Sequence, residues 1–281
     1  MNYSFMSMLR RVGFVRDSNG VFVKSKGEES AKLSFPVTTY DDFDERTLDS
    51  FWVKLRADAI LQELRSHEAN SLIEIGAGSG YVSLPLISAG IDVISVEPIY
   101  SGAQIITARG GLAINATLEE LNLPDDQIAY VGIFDVLEHI EQDELFLRQL
   151  YKSLKPGGWL FLTVPAHNSL YSDFDSSIGH YRRYSKFRLT ELLKRTGFEV
   201  HTARFLFHSL VFPAFILRRI PYLFGRRKKF DGEHGFKVVC ENSLKLSPFL
   251  NKVLYRFIKF ENHLKLPFGL SLIAASQKPE A

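Results

Sequence analysis

The chain has 281 residues, of which 46% are apolar and 23% are charged, values that are ordinary for a folded globular protein. Its 34 Lys and Arg against 32 Asp and Glu leave a net charge of +2, which excludes a generally basic nucleic-acid coat and an acidic solvating tail. The single cysteine, Cys240, excludes an internal disulfide framework and a multi-cysteine zinc site, so a reducing cytoplasm is the expected compartment.

Residues 1–50 show weak hydropathy periodicity and are interpreted as an N-terminal extension and candidate lid. A Ser-Asn-Gly turn within them predicts a short strand over Val21–Lys24. Apolar residues at helical spacing then predict an amphipathic helix over Phe51–Leu64, which Asp49 or Ser50 can cap.

Short apolar strands alternate with helices from residue 51 to residue 202, which we take as the core domain. The predicted strands are Leu72–Ile75, Val93–Val96, Leu112–Asn115, Tyr130–Phe134, Trp159–Val164 and Phe198–Thr202. The predicted helices are Val82–Ser88, Gln104–Arg109, Glu141–Leu154 and Leu189–Thr196. This alternation predicts a doubly wound, mostly parallel α/β sheet with helices on both faces.

Residues 203–265 interrupt the alternation and are predicted to form an aromatic-rich helical insertion or cap, before a last strand and tail over 266–281. The longest apolar stretch, Phe205–Leu217, is too short to span a bilayer. A cluster of Arg and Lys follows it. Two interpretations stay open: a buried helix with a solvated basic loop, or a peripheral contact of 205–229 with the inner face of a membrane.

A glycine-rich turn, Glu74-Ile75-Gly76-Ala77-Gly78-Ser79-Gly80-Tyr81, joins the first core strand to its helix. Alternate glycines allow a sharp turn and a close approach of backbone to ligand. Glu97 ends the second strand, where a carboxylate can accept both hydroxyls of a ribose. The combination predicts a nucleoside-cofactor site at the carboxyl ends of the strands.

The details of this turn favour S-adenosylmethionine over NAD. The dinucleotide fingerprint places a third glycine at the position occupied here by Tyr81. The Glu74 carboxylate would oppose a pyrophosphate but attract a ligand that carries sulfonium and ammonium groups. An NAD-dependent oxidoreductase remains an alternative at this point.

Three segments in this order resemble motifs of the class I S-adenosylmethionine-dependent methyltransferases: Glu74–Gly80, Phe134–Ile140 and Leu154–Leu160. The resemblance is to the small-molecule branch often found with glycan and lipid biosynthesis. It implies a seven-stranded sheet in which Leu270–Ser276 is an antiparallel last strand. It also implies S-adenosylmethionine as cofactor and S-adenosylhomocysteine as product.

The resemblance further implies a set of cofactor-binding residues spread over the carboxyl ends of the first four strands. They are Glu74, Gly76, Ala77, Gly78, Gly80, Glu97, Pro98, Thr117, Leu118, Asp135 and Val136. The segment Phe51–Arg56 resembles the helix that precedes the glycine turn in the same branch. This resemblance implies that Arg56 can reach the cofactor carboxylate. The alternative is that Arg56 is a surface residue of an amphipathic helix.

The segment after the fifth strand is dense in polar and aromatic residues. We interpret it as the substrate-binding part of the site, formed by His180, Tyr181, Arg182, Arg183 and Tyr184. Because paired arginines bind carboxylate or phosphate groups, an anionic acceptor is one reading. Internal ion pairs of these arginines with Asp173 and Asp175 are the other.

His139 and His180 are the candidate catalytic bases, since imidazole titrates near neutral pH. We find no further ligands at metal-site spacing and therefore expect metal-independent, in-line methyl transfer. The predicted function is methyl transfer to a small-molecule or glycan- or lipid-linked acceptor, with no nucleic-acid partner. The alternative is a cofactor-binding scaffold or peripheral membrane protein that has lost catalysis.

Overall fold

A computed structural model describes residues 3–25, 47–224 and 246–280. Cys240 and the basic run Arg226–Lys229 lie outside these ranges. The described strands are β1 (Phe14–Arg16), β2 (Phe22–Lys24), β3 (Ser71–Ile75), β4 (Asp92–Val96), β5 (Leu112–Ile114), β6 (Ile128–Phe134), β7 (Leu154–Pro165), β8 (Glu199–Leu206) and β9 (Ser271–Gln277).

The described α-helices are α1 (Tyr3–Arg11), α2 (Phe51–Ser66), α3 (Ser83–Ser88), α4 (Tyr100–Ala108), α5 (Leu118–Leu121), α6 (Asp143–Ser153), α7 (Asp173–Ser177), α8 (Lys186–Arg195), α9 (Val211–Ala214), α10 (Ile220–Leu223) and α11 (Pro248–Asn262). Single 3₁₀ turns cover Leu137–His139 and Asn168–Leu170, and a π-helical turn over Phe215–Arg219 joins α9 to α10.

The described strands form one mixed sheet in the order β1-β2-β5-β4-β3-β6-β7-β9-β8. Neighbours from β2 to β7 pair in parallel, whereas β1 against β2 and β9 against both β7 and β8 pair antiparallel. The doubly wound fold and the antiparallel last strand are thus confirmed. The expected count of seven strands is wrong for the described residues, which form nine. The reason is that the β1–β2 hairpin adds to the edge at β5.

Alternating side chains of the central strands enter two apolar layers. Leu160 and Leu162 of β7 belong to one buried cluster, and Phe161 between them belongs to the other. Because successive side chains in a strand point to opposite faces, the sheet has an apolar core on each side. Helix α2 covers one face. Its N-cap is Ser50, whose hydroxyl accepts a hydrogen bond from the Val53 N–H at 3.3 Å.

The strand order reverses beside β3, since β4 and β5 lie on one side of it and β6 and β7 on the other. In open α/β sheets the loops that leave such a point diverge and form a ligand crevice at the carboxyl ends of the strands. The glycine turn leaves β3 and the segment beginning at Asp135 leaves β6, so both border this crevice.

The insertion differs from the buried-helix interpretation. Phe205 and Leu206 belong to β8 and are buried, whereas the helical segment 211–223 is mostly exposed along its outer side. No helix within the described ranges combines the length and the apolar character that a membrane crossing needs.

Candidate active site

The turn after β3 has a backbone that glycine adopts more readily than other residues. Gly76, Gly78 and Gly80 have φ of +74°, +60° and +86°, in the left-handed region that costs other residues energy. A Cβ on Gly76 would lie 2.6 Å from Cγ2 of Val136, the residue expected to contact the cofactor. The turn therefore packs directly on the segment after β6, with no room for a side chain between them.

Glu97, at the end of β4, holds the glycine turn in place. Its carboxylate accepts hydrogen bonds from the backbone N–H of Gly78 at 2.7 Å and of Ile99 at 2.9 Å. Burial raises the pKa of Glu97 to about 7 despite these two bonds. A ribose bound here would share or replace the contacts that the carboxylate makes with the turn.

Glu74 is buried beneath the turn and bonded to hydroxyl groups. Its carboxylate accepts a hydrogen bond from the Ser83 hydroxyl, which in turn accepts one from Ser95 at 2.9 Å. Burial, only partly opposed by the Ser83 bond, raises the pKa of Glu74 to about 8. At neutral pH the group is mostly protonated, so its attraction for a cation depends on the loss of that proton.

A cavity of about 410 Å³ opens beside these groups. Cofactor-set residues that line it are Glu74, Gly76, Ala77, Gly78 and Asp135. Its other walls come from the start of α2, the segment after β6, helix α7 and the beginning of the insertion. The cavity therefore joins the glycine turn to the predicted acceptor region.

Six members of the expected cofactor set do not line this cavity: Gly80, Glu97, Pro98, Thr117, Leu118 and Val136. Thr117 caps α5, because its hydroxyl accepts a hydrogen bond from the Glu120 N–H at 3.2 Å. Leu118 is buried in the core, and the Pro98 carbonyl accepts a hydrogen bond from the Asn115 side chain. They border the neighbouring strand ends, and their contacts with a cofactor stay a prediction.

Arg56 of α2 is a cavity residue and not a freely solvated surface arginine. Its side chain is only 19% exposed, and its guanidinium lies 2.6 Å from Oδ2 of Asp135. The other carboxylate oxygen of Asp135 accepts a hydrogen bond from the Thr163 hydroxyl at 3.0 Å. Asp135 has a φ of +54°, a conformation that aspartate tolerates better than most residues, and this turns the chain abruptly after β6.

Glu138 is a cavity residue that the sequence reading did not single out. It is fully buried, and neither carboxylate oxygen has a hydrogen-bond partner among the described atoms. Burial and then the nearby charge of Asp135 hold the pKa of Glu138 well above its usual range. A buried carboxyl group without a hydrogen-bond partner among the described atoms therefore faces the cavity.

His180 is oriented toward Glu138 by a buried aspartate. Its Nδ1 lies 3.1 Å from Oδ1 of Asp175, and its Nε2 lies 3.8 Å from Oε1 of Glu138. Oδ1 of Asp175 also accepts a hydrogen bond from Nε of Arg183 at 2.7 Å. Burial by itself opposes ionisation of Asp175, but the His180 hydrogen bond and the Arg183 charge outweigh it and lower the Asp175 pKa to about 2.

His139 stands edge-on to His180, with ring centroids 4.6 Å apart, and lines the same cavity. Burial and then the neighbouring His180 lower the pKa of His139 to about 3, so its ring is neutral at physiological pH. Glu138, His139 and His180 each offer a ligand atom, and these atoms all lie within 4.8 Å of one another. Spacing along the chain does not reveal this grouping, and the expectation of metal-independent chemistry stays a prediction.

The remaining substrate residues divide between two places. Arg183 lines the cavity but is paired with Asp175. Arg182 pairs with Asp143 at 2.7 Å, and the buried Tyr184 hydroxyl donates to the same carboxylate at 2.8 Å. Neither Arg182, Tyr181 nor Tyr184 lines the cavity. The internal ion-pair alternative is confirmed for Arg183 with Asp175, whereas Arg182 pairs with Asp143 and not with the expected Asp173.

Comparison with known proteins gives a consistent picture. The family model for a methyltransferase domain matches residues 46–203. A Mycolicibacterium smegmatis protein described as a "probable S-adenosylmethionine-dependent methyltransferase" is 28% identical over 59% of this chain and 68% of its own length. A ubiquinone biosynthesis O-methyltransferase of Rickettsia canadensis is 24% identical over 56% of this chain and 75% of its own.

Among solved structures, the phosphoethanolamine N-methyltransferase 2 of Haemonchus contortus has a similar fold, with a TM-score of 0.51 and 16% identity. The similarity covers 89% of this chain and 61% of that one, which was solved with phosphomonomethylethanolamine and S-adenosylhomocysteine.

Proposed function

This chain belongs to the class I S-adenosylmethionine-dependent methyltransferases, and from that premise we propose that it methylates an acceptor bound against His180 in the cavity beside the glycine turn. One observation carries the proposal: a single cavity has the turn that follows β3 in one wall and the Glu138–His180 pair in another. Membership of this family replaces the NAD-dependent alternative.

The residues of the cofactor end fit S-adenosylmethionine. Gly76 packs on Val136 with no room for a side chain, and Gly76 and Gly78 bring only backbone to the cavity wall. We expect Glu74, which lines the cavity, to meet an ammonium group, and Glu97, which holds the turn from outside the lining, to meet a ribose. The cofactor supplies a methyl carbon already activated by the sulfonium, so these residues chiefly bind it and fix its direction.

We assign His180 the role of general base and Asp175 the role of its positioning residue. When the Asp175 carboxylate accepts a hydrogen bond from Nδ1–H, the proton of the neutral ring stays on Nδ1 and Nε2 is the basic nitrogen. That atom points toward Glu138 and the cavity, where an acceptor hydroxyl could give up its proton. His139 remains the second candidate, although burial makes it a much weaker base.

The cavity favours an acceptor with a compact polar group on an apolar body. Among the described residues that line it, both arginines, Arg56 and Arg183, already pair with aspartates. Much of the remaining wall is aromatic or aliphatic, and includes Trp52, Phe134 and Phe174. We therefore give a neutral hydroxyl acceptor precedence over the anionic acceptor that the arginines first suggested.

Similarity to an enzyme named for ubiquinone O-methylation supports O-methylation as the first reaction to test. The wider proposal covers a small-molecule, glycan-linked or lipid-linked acceptor, metal-independent transfer, no nucleic-acid partner, and a cytoplasmic protein with peripheral membrane contact through 205–229. Of that stretch, only the part from residue 211 is exposed helix in the described ranges.

The test begins with calorimetry of S-adenosylhomocysteine binding and continues with mass-spectrometric screening of hydroxylated aromatic and lipid-linked acceptors. For an acceptor that is turned over, His180→Gln should lower kcat by about 100-fold or more while cofactor affinity is retained. His201→Gln, a histidine distant in the sheet, serves as the control. Turnover that survives EDTA supports metal-independent transfer.

Cofactor binding without turnover of any acceptor would instead support the lapsed scaffold. Full activity of His180→Gln would remove His180 from the mechanism.

A further inference from the structure

An exposed apolar surface lies next to the mouth of the cavity. It is formed by the outward-facing side chains of residues 212–224 and 249–264, and we call it the two-helix surface. Phe212, Phe257 and Phe260 are 67%, 55% and 66% exposed. Monomeric soluble proteins rarely leave so many large apolar side chains together in water, so this surface is expected to have a partner.

The helices that carry this surface are firmly attached to the core. On α11, the Tyr255 hydroxyl donates to Asp58 of α2 at 2.6 Å, and Ile258 is fully buried. Asn251 accepts a hydrogen bond from the Phe51 N–H at 2.7 Å. The inner side of α11 therefore makes the contacts with the core. The exposed apolar side chains on its outer side take no part in those contacts.

The two parts of the surface meet at a hydrogen bond. The Glu261 carboxylate at the end of α11 accepts from the Ser209 N–H, just before α9, at 3.1 Å. Phe260 adjoins Glu261, and Phe212 lies three residues after Ser209. The two helical segments that carry exposed phenylalanines are therefore joined at this edge of the molecule.

The same edge borders the cavity. Pro213, Ala214 and Leu217 line the cavity, and Leu217 is also 71% exposed. A side chain that is both cavity wall and outer surface marks the rim of the opening. A partner on the two-helix surface would thus sit at the entrance used by an acceptor.

Charge identifies the kind of partner. Residues 211–224 and 246–268, the described segments around this surface, contain six Lys and Arg against one Glu, a net of +5, whereas the rest of the chain has 28 against 31, a net of −3. A second copy would bring like charge to this surface. Apolar side chains with surrounding positive charge match an anionic lipid bilayer.

We propose that the two-helix surface docks on an anionic membrane and that the methyl acceptor is a lipid whose polar head enters the cavity past Leu217. The inference rests on the function proposed for the cavity and adds to it the class of acceptor. It also adds α11, which is remote in sequence from the stretch 205–229.

Co-sedimentation of the full chain with vesicles tests the docking. Binding is expected with phosphatidylcholine–phosphatidylglycerol vesicles, and much less with phosphatidylcholine alone or at high salt. The double variant Phe257→Asp, Phe260→Asp should lower the partition coefficient at least about tenfold, the ratio that loss of one buried phenylalanine supports. Phe187→Asp, at a 76% exposed phenylalanine on α8, is the matched control and should bind as the wild type does.

Calorimetry with S-adenosylhomocysteine on the same proteins separates the two proposals. Retained cofactor affinity in a wild type that ignores anionic vesicles would overturn the docking and leave the proposed function standing. Loss of vesicle binding in Phe187→Asp, or normal binding by the double variant, would equally overturn it. So would a dimer in light scattering that the double variant dissolves, because the surface would then join two copies. Failure of the wild type to bind S-adenosylhomocysteine would count against the proposed function, whatever the vesicles show.

Discussion

The buried acidic residues at the two ends of the cavity differ in their hydrogen bonding. At the cofactor end, Glu74 and Glu97 accept hydrogen bonds from a serine hydroxyl and from backbone N–H groups. At the acceptor end, Glu138 is equally buried but has no hydrogen-bond partner among the described atoms. A buried polar group without a partner costs free energy, and such groups occur mainly where a ligand completes them. The cofactor end is therefore formed in advance, whereas the acceptor end retains an unsatisfied group.

Removal of Asp175 tests how far the acceptor end depends on its buried ion pair. Asp175→Ala leaves the buried Arg183 without a charged partner, so the free energy of unfolding should fall by about 3–5 kcal/mol. Urea unfolding followed by circular dichroism measures this change. Asp173→Ala, on the same short helix, should change stability by less than about 0.5 kcal/mol. Equal losses in the two variants would show that α7, and not the pair, determines the stability.

A side chain in the glycine turn tests the rigidity of the cofactor end. Gly78→Arg places a bulky group in the cavity wall at a φ of +60° and should lower S-adenosylhomocysteine affinity by at least about 100-fold. Isothermal titration calorimetry measures this change. Gly90→Arg is the matched control, because Gly90 also has a positive φ but its Cβ would meet no atom within 4 Å. Unchanged affinity in Gly78→Arg would refute the placement of the cofactor.

The pH dependence of stability in Glu138→Gln tests whether the buried Glu138 carboxyl group differs from the hydrogen-bonded acids at the other end. A carboxyl group whose pKa is raised on folding binds its proton more tightly in the folded state, so its effect on stability worsens as pH rises above the unfolded pKa near 4.5. The loss approaches about 1.4 kcal/mol per pH unit until the folded pKa is reached. The variant should flatten the decline in unfolding free energy as pH rises above the unfolded pKa, as measured by urea titration at a series of pH values. An unchanged slope would mean that Glu138 is ionised in the folded protein.

Several site features were predictable because they depend on residues that are neighbours in sequence. The turn at Gly76–Gly80 follows its strand directly, and positive φ at three alternate positions is a property that glycine itself supplies. The capping of α2 by Ser50 is equally local. Alternating apolar strands and helices were enough to predict the parallel sheet, although the addition of β1 and β2 to its edge was not predicted.

At the acceptor end, the positions of the side chains depend on contacts between distant segments and were not predictable from the sequence. No role of its own was predicted for Glu138 from the sequence. The tertiary structure buries it beside His180, which is 42 positions further along the chain. Arg182 and Arg183 are adjacent in sequence, yet one faces Asp143 behind the cavity and the other faces Asp175 in its wall. Opposite directions for neighbouring side chains follow from the backbone path, which spacing alone does not fix.

The sequence by itself determined the sheet and the glycine turn, because these follow from local periodicity and from the conformational freedom of glycine, and it indicated the family through motifs that resemble that family's. Only the tertiary structure decided which acids are buried, which arginines are already paired and which apolar side chains stay in water. Burial and pairing depend on contacts between distant segments, and those contacts set both the pKa values and the exposed surface from which the proposals start.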